Sequence, residues 1–89
     1  MVMVHFTQNL QRYVSCPPQS VKATTLRETL QAVFFETPEL EPYIVDEHGA
    51  LRRHINVFVN GSKVQDRIHL SDEVDDGGKV YVMQALSGG

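Results

Sequence analysis

One stretch of this chain has a helical period, and it lies between segments that alternate. Thr25-Leu26-Arg27-Glu28 has the S/T-x-x-E form of a capping box. In that motif the threonine hydroxyl accepts from the amide three residues on, and the glutamate carboxylate returns to the amide of the threonine. Behind it, Leu26, Leu30, Val33 and Phe34 fall on one helical face, while Arg27, Gln31 and Glu36 fall elsewhere and are left to solvent. Thr37-Pro38 closes the helix, because the residue before a proline is pushed out of the α region. A single helix buries only one stripe. The remaining apolar residues must therefore form a sheet beneath it, which is a two-layer α+β design.

The strands follow from alternation and turn chemistry. Residues 1–6 carry Val2 and Val4 and read as a first strand; residues 8–14 either continue it or begin the return. Cys16-Pro17-Pro18 forces a turn, and residues 20–24 can run back as a second strand. Residues 39–50 form a mixed connector in which Leu40, Tyr43 and Ile44 can pack beneath the fold, with Asp46-Glu47-His48-Gly49 as an exposed turn. Ile55-Asn56-Val57-Phe58-Val59 alternates and meets Asn60-Gly61, a hairpin signal because both residues tolerate positive φ. Residues 62–64 are a short return strand, and Ile68, Leu70 and Val74 supply core contacts through a loop. Asp75-Asp76-Gly77-Gly78 breaks the chain before a final strand over residues 79–85.

Hairpin, helix, hairpin, final strand is the order of the β-grasp, or ubiquitin-like, fold. Its first and last strands pair in parallel at the centre of a mixed four- to five-stranded sheet. The predicted core holds Val4, Leu26, Leu30, Val33, Val57, Val59, Val80 and Val82. Strand alternation then turns Phe58, Tyr81 and Met83 outward, with Ala85 continuing the row. A contiguous apolar patch of that kind marks a protein interface. The domain spans residues 1–86, followed by a flexible tail, residues 87–89.

Composition narrows the classes. Eight basic against eleven acidic residues give a net charge of −3, which argues against a nucleic-acid binder and suits a basic cleft on a protein partner. Cys16, the one cysteine, can form no internal disulfide and reads as an inert loop thiol. Neither a signal peptide nor a membrane-spanning run is read in the sequence, so the cytoplasm is the expected location.

Ser87-Gly88-Gly89 stands directly behind the last strand. Glycine costs more backbone entropy to order than any other residue, so two of them do nothing for a core. They offer a thin end with a free carboxylate. Extended from Leu86, it reaches roughly 13 Å into a partner's narrow channel. A frayed terminus is the plain alternative.

Tail and fold order together resemble the ThiS/MoaD family of sulfur-carrier proteins, best over residues 46–89. Leu51-Arg52-Arg53-His54-Ile55-Asn56-Val57-Phe58-Val59-Asn60-Gly61 is similar to that family's third strand and turn. Val74-Asp75-Asp76-Gly77-Gly78-Lys79-Val80 resembles its D-G-D-x-V lead into the last strand, with Gly78 in place of the usual acidic residue. Met83-Gln84-Ala85-Leu86-Ser87-Gly88-Gly89 resembles its ending, where many members carry Pro and Ala-Gly-Gly.

The resemblance implies a reaction done to the protein. A partner related to ubiquitin-activating enzymes joins AMP from ATP to the carboxylate of Gly89. Sulfur transfer then yields a C-terminal thiocarboxylate. Gly88 and Ser87 serve as spacer, and Phe58, Tyr81, Met83 and Ala85 as the docking row. The carrier binds no resident cofactor; its partners are the activating enzyme and a sulfur-accepting synthase subunit, with no nucleic acid and no membrane. Molybdopterin, thiamine, cysteine and siderophore routes all stay open.

Other motifs carry little. His5, His48, His54 and His69 are scattered and lack the spacing of a helical zinc site. Gly77-Gly78 lacks the Lys-Ser/Thr of a phosphate loop, and Asp75-Asp76 reads as a solvated turn. The sulfur carrier is the leading reading. A ubiquitin-like modifier joined to target lysines is the alternative, and a passive interaction module comes third. A self-sufficient enzyme lacks an acid–base or nucleophile constellation.

Overall fold

In the computed structural model, residues 1–7, 10 and 15–84 are described. Five strands form one sheet: β1 Val2–Phe6, β2 Gln19–Val21, β3 Ile55–Val59, β4 Ser62–Lys63 and β5 Lys79–Gln84, in the order β2-β1-β5-β3-β4. The first and last strands pair in parallel at the centre, Val4 against Val80 and Phe6 against Val82; the other pairings are antiparallel. This is the β-grasp order.

Helix α1, Leu26–Glu36, crosses the inner face. Its start shows how local chemistry sets a boundary. The Thr25 hydroxyl accepts from the Glu28 amide at 3.2 Å, as the capping box requires. Glu28 returns one residue earlier than expected, accepting from both the amide and the hydroxyl of Thr24 at 2.9 Å. These donors hold its carboxyl below the usual range. A 3₁₀ turn, Pro38–Leu40, and a short helix α2, Glu41–Ile44, occupy the connector and bury Leu40 and Ile44.

Helix and sheet enclose one core. Val4, Leu26, Leu30, Val33, Val57, Val80 and Val82 are buried, as predicted from the two periodicities. Three expectations are corrected. Ile68 is 60% exposed, because its loop is folded around the Asp66 carboxylate rather than around apolar contacts. Tyr43 is partly exposed, and Val59 is half-buried against the core. Cys16 lies in a loop, yet its side chain is in the core, where burial pushes the thiol up. Leu10 N–H donates to Thr7 C=O at 3.2 Å. The rest of residues 8–14, and the proposed tail over 87–89, lie outside the described residues.

The turns before β4 and β5 are interlocked. Asn60 and Gly61 both take positive φ, 51° and 85°, as the hairpin demands. The Asn60 side chain accepts from Lys79 N–H at 2.8 Å, and its backbone N–H donates to Lys79 C=O at 2.8 Å. Gly78 is buried under this contact. A Cβ there would sit 2.8 Å from Asp75 O and 3.2 Å from Asn60 Oδ1. A side chain at residue 78 would therefore crowd this turn.

Candidate functional site: the outer face of the sheet

Strand alternation with Val57, Val80 and Val82 inside turns Asn56, Phe58, Lys79, Tyr81 and Met83 outward. Register arranges them in rows. Phe58 lies opposite Tyr81 and next to Lys63; Tyr81 in turn pairs with His5 of β1. The His5 and Tyr81 rings stack with centroids 4.8 Å apart and planes 16° from parallel. One row toward the end of β5, Asn56 lies opposite Met83. One row the other way, Lys79 lies opposite Met3, which pairs with Ser20.

Tyr81 is 43% exposed and Met83 38%, while Phe58 is half-buried between its neighbours. Met3 is exposed as well, so the apolar area spans three strands. The outward row runs to Met83, one residue before β5 ends at Gln84. The predicted outward set is therefore brought together over Phe58, Tyr81 and Met83. Ala85, Ser87, Gly88 and Gly89 lie outside the described residues.

Sequence reasoning missed Met3, His5, Asn56 and the cations. Alternation in β1, with Val2, Val4 and Phe6 inside, already turned Met3 and His5 outward. Their place beside Tyr81 needs the parallel register, which no local pattern encodes. Arg67, from the loop after β4, reaches Asn56 Oδ1 at 3.5 Å and Arg52 C=O at 2.7 Å. This fixes its guanidinium at the end of the Asn56–Met83 row.

This surface sets exposed apolar side chains beside Lys63, Lys79 and Arg67. Among the described residues no group of three or more His, Cys, Asp or Glu could hold a metal ion. Nor is any described helix long and apolar enough to cross a membrane. The strongest perturbed carboxyl lies off the face: Asp66 is held at about 2, chiefly by the Ser71 hydroxyl and the His69 amide. It shapes the loop over residues 66–71.

Comparison with known proteins agrees with this geometry. The ThiS family model matches residues 8–89. A chain of the crystal structure of the Amycolatopsis orientalis BexX/CysO complex is 28% identical, with 100% of each chain covered and a TM-score of 0.84. SAMP1 from Haloferax volcanii is 23% identical, covering 99% of this chain and 98% of its own, with a TM-score of 0.83. A chain of the Helicobacter pylori complex of subunits 1 and 2 of molybdopterin-converting factor is 20% identical over 99% and 97%, with a TM-score of 0.64. The last two show a shared fold. No curated protein matches the chain.

Proposed function

The chain belongs to the ThiS family, and on that premise we propose that it is a sulfur carrier activated at Gly89. A carboxylate oxygen of Gly89 attacks the α-phosphorus of ATP and pyrophosphate leaves, giving an acyl adenylate. A hydrosulfide-equivalent donor then attacks the acyl carbon and AMP leaves, giving the thiocarboxylate. A carboxylate is a poor acyl donor until its oxygen becomes a good leaving group, which is why ATP is spent. The carrier contributes the acyl group and the docking face; the activating enzyme contributes the catalysis.

The observation that carries this reading is continuity. Tyr81 and Met83 face out along β5, Phe58 and His5 flank them, and Ser87-Gly88-Gly89 follow that strand in the sequence. A partner seated on the row would hold the chain where its last residues enter a channel. The BexX/CysO complex and the molybdopterin-converting factor complex each pair a chain of this fold with a second protein, which supports a synthase-type partner here.

ATP–pyrophosphate exchange with the organism's own adenylating enzyme tests the proposal. Deleting Gly89 should stop exchange at every carrier concentration; normal exchange from the truncated chain would overturn it. SAMP1, which shares the fold, is named a small archaeal modifier protein, so conjugation to target lysines is the second reading. Intact-mass measurement on cell extract separates the two. The carrier reading expects a free species heavier by one oxygen-to-sulfur exchange, and the modifier reading expects the tail joined to lysines.

A further inference from the structure

Resting on the carrier reading, we infer that the partner surface receiving this face is acidic around an apolar centre, and that Lys79, Lys63 and Arg67 select it. Each outward row bears one of these cations: Lys79 beside Met3, Lys63 beside Phe58, Arg67 beside Asn56 and Met83. The outward positions of the five strands hold no carboxylate at all, although the chain has eleven acidic residues against eight basic ones.

The acids are sorted elsewhere. Asp66, Asp72 and Glu73 line a groove along the β4 edge that Lys63 also borders, and Asp75 and Asp76 stand in the turn before β5; Glu28 and Glu36 are on the helix layer, and Glu39, Glu41, Asp46 and Glu47 on the connector. The three cations are also unneutralised. Among the described residues the ion pairs are the Met1 amine with Asp76 and His48 with Glu47, so none of Lys63, Arg67 and Lys79 has a carboxylate at ion-pair distance.

This charge pattern has a directional consequence. The net charge of −3 works against an acidic partner as a whole, whereas the outward strand positions, whose charged groups are cations alone, favour one. Complementary fields of this kind set orientation and on-rate more than raw affinity. An acidic rim would therefore accept the carrier only in the orientation that points β5, and the residues after it, at the partner. The basic cleft suggested by net charge alone would attract the wrong side of the molecule.

The test is the exchange assay run across carrier concentration and salt with the same adenylating enzyme. Lys79 is exposed, and its side chain makes no hydrogen bond among the described residues, so its replacement leaves the fold intact. At low salt, Lys79→Glu should raise the half-saturating carrier concentration about tenfold, and Lys79→Gln about threefold, with unchanged maximal rate. Gln31→Glu, which adds the same net charge as Lys79→Gln on the exposed helix layer, should change nothing. Salt at about 1 M, where the screening length is about 3 Å, should erase the difference between wild type and Lys79→Glu.

Three results would count against the inference. Wild-type exchange that is indifferent to Lys79→Glu and to salt overturns it while leaving the carrier reading in place. Tighter binding by Lys79→Glu overturns it in favour of a basic partner. No exchange from wild type defeats the carrier reading and the inference with it. A second measurement needs no partner. A negatively charged nitroxide should relax the Tyr81 and Phe58 amides more than a positively charged one does, with the order reversed at Glu28; equal relaxation by both would contradict the charge pattern.

Discussion

The two faces of the sheet differ in what holds their residues in place. On the inner face Val2, Val4, Val57, Val80 and Val82 are fully buried against the helix stripe of Leu26, Leu30 and Val33. On the outer face Met3, Tyr81 and Met83 keep large apolar surface in water, and their neighbours are chosen by strand pairing alone. Volume and hydrophobicity decide the first set. Register decides the second. On the proposed reading, the inner face governs stability and the outer face governs what the molecule meets.

The sharpest way to break that division is to weaken the inner face. Leu30→Ala removes a side chain that is 1% exposed and should cost about 2–5 kcal/mol, most of it seen as a lower midpoint in chemical denaturation. A curve superimposable on wild type would show the helix stripe to be wrongly placed. Next comes the turn that carries β5. Gly78→Asp restores the residue more usual in the family, yet its Cβ would meet Asp75 O at 2.8 Å. It should destabilise by about 1–3 kcal/mol; a gain in melting temperature would refute the steric account. Thr25→Ala deletes the acceptor for the Glu28 amide and should cost about 0.5–2 kcal/mol.

An outer-face change should be smaller. Tyr81→Ala loses the stack with His5 and little buried area, so its stability cost should stay within about 1 kcal/mol while carrier docking weakens. A cost as large as that of Leu30→Ala would erase the distinction between the faces. Acid titration sharpens it from another side. Asp66 is lowered from 3.8 to about 2 in the folded chain, so the unfolded chain binds the proton first as pH falls. Its contribution is present above pH 3.8 and is lost between there and about 2. Asp66→Asn should flatten the fall of melting temperature across that window, and an unchanged slope would count against the carboxylate's role.

The same division explains what could be read beforehand. The capping box, the helix stripe, the Asn60-Gly61 hairpin and the inward valines are encoded within a few residues of one another, and the structure repeats them with shifts of a residue or two. His5 looked like one of four scattered histidines. It stands on Tyr81 because β1 and β5, separated by almost the whole chain, pair in one particular register. Arg67 is placed by the carbonyl of Arg52 and the side chain of Asn56, again across the chain. Ile68 misled because an apolar residue in a loop was read by composition, whereas the Asp66 carboxylate sets that loop's shape.

The central claim is that the outer face is the docking surface and that its β5 row leads the chain's last residues into the partner. It is tested most directly by titrating isotope-labelled carrier with the unlabelled adenylating enzyme and following every backbone amide. The account predicts that His5, Phe58, Lys79, Tyr81 and Met83 shift or broaden first, with Gly88 and Gly89 moving in step, while Glu28 and Gln31 on the helix stay put. Perturbation centred on the helix, with the Tyr81 and Met83 amides unmoved at saturation, would contradict it.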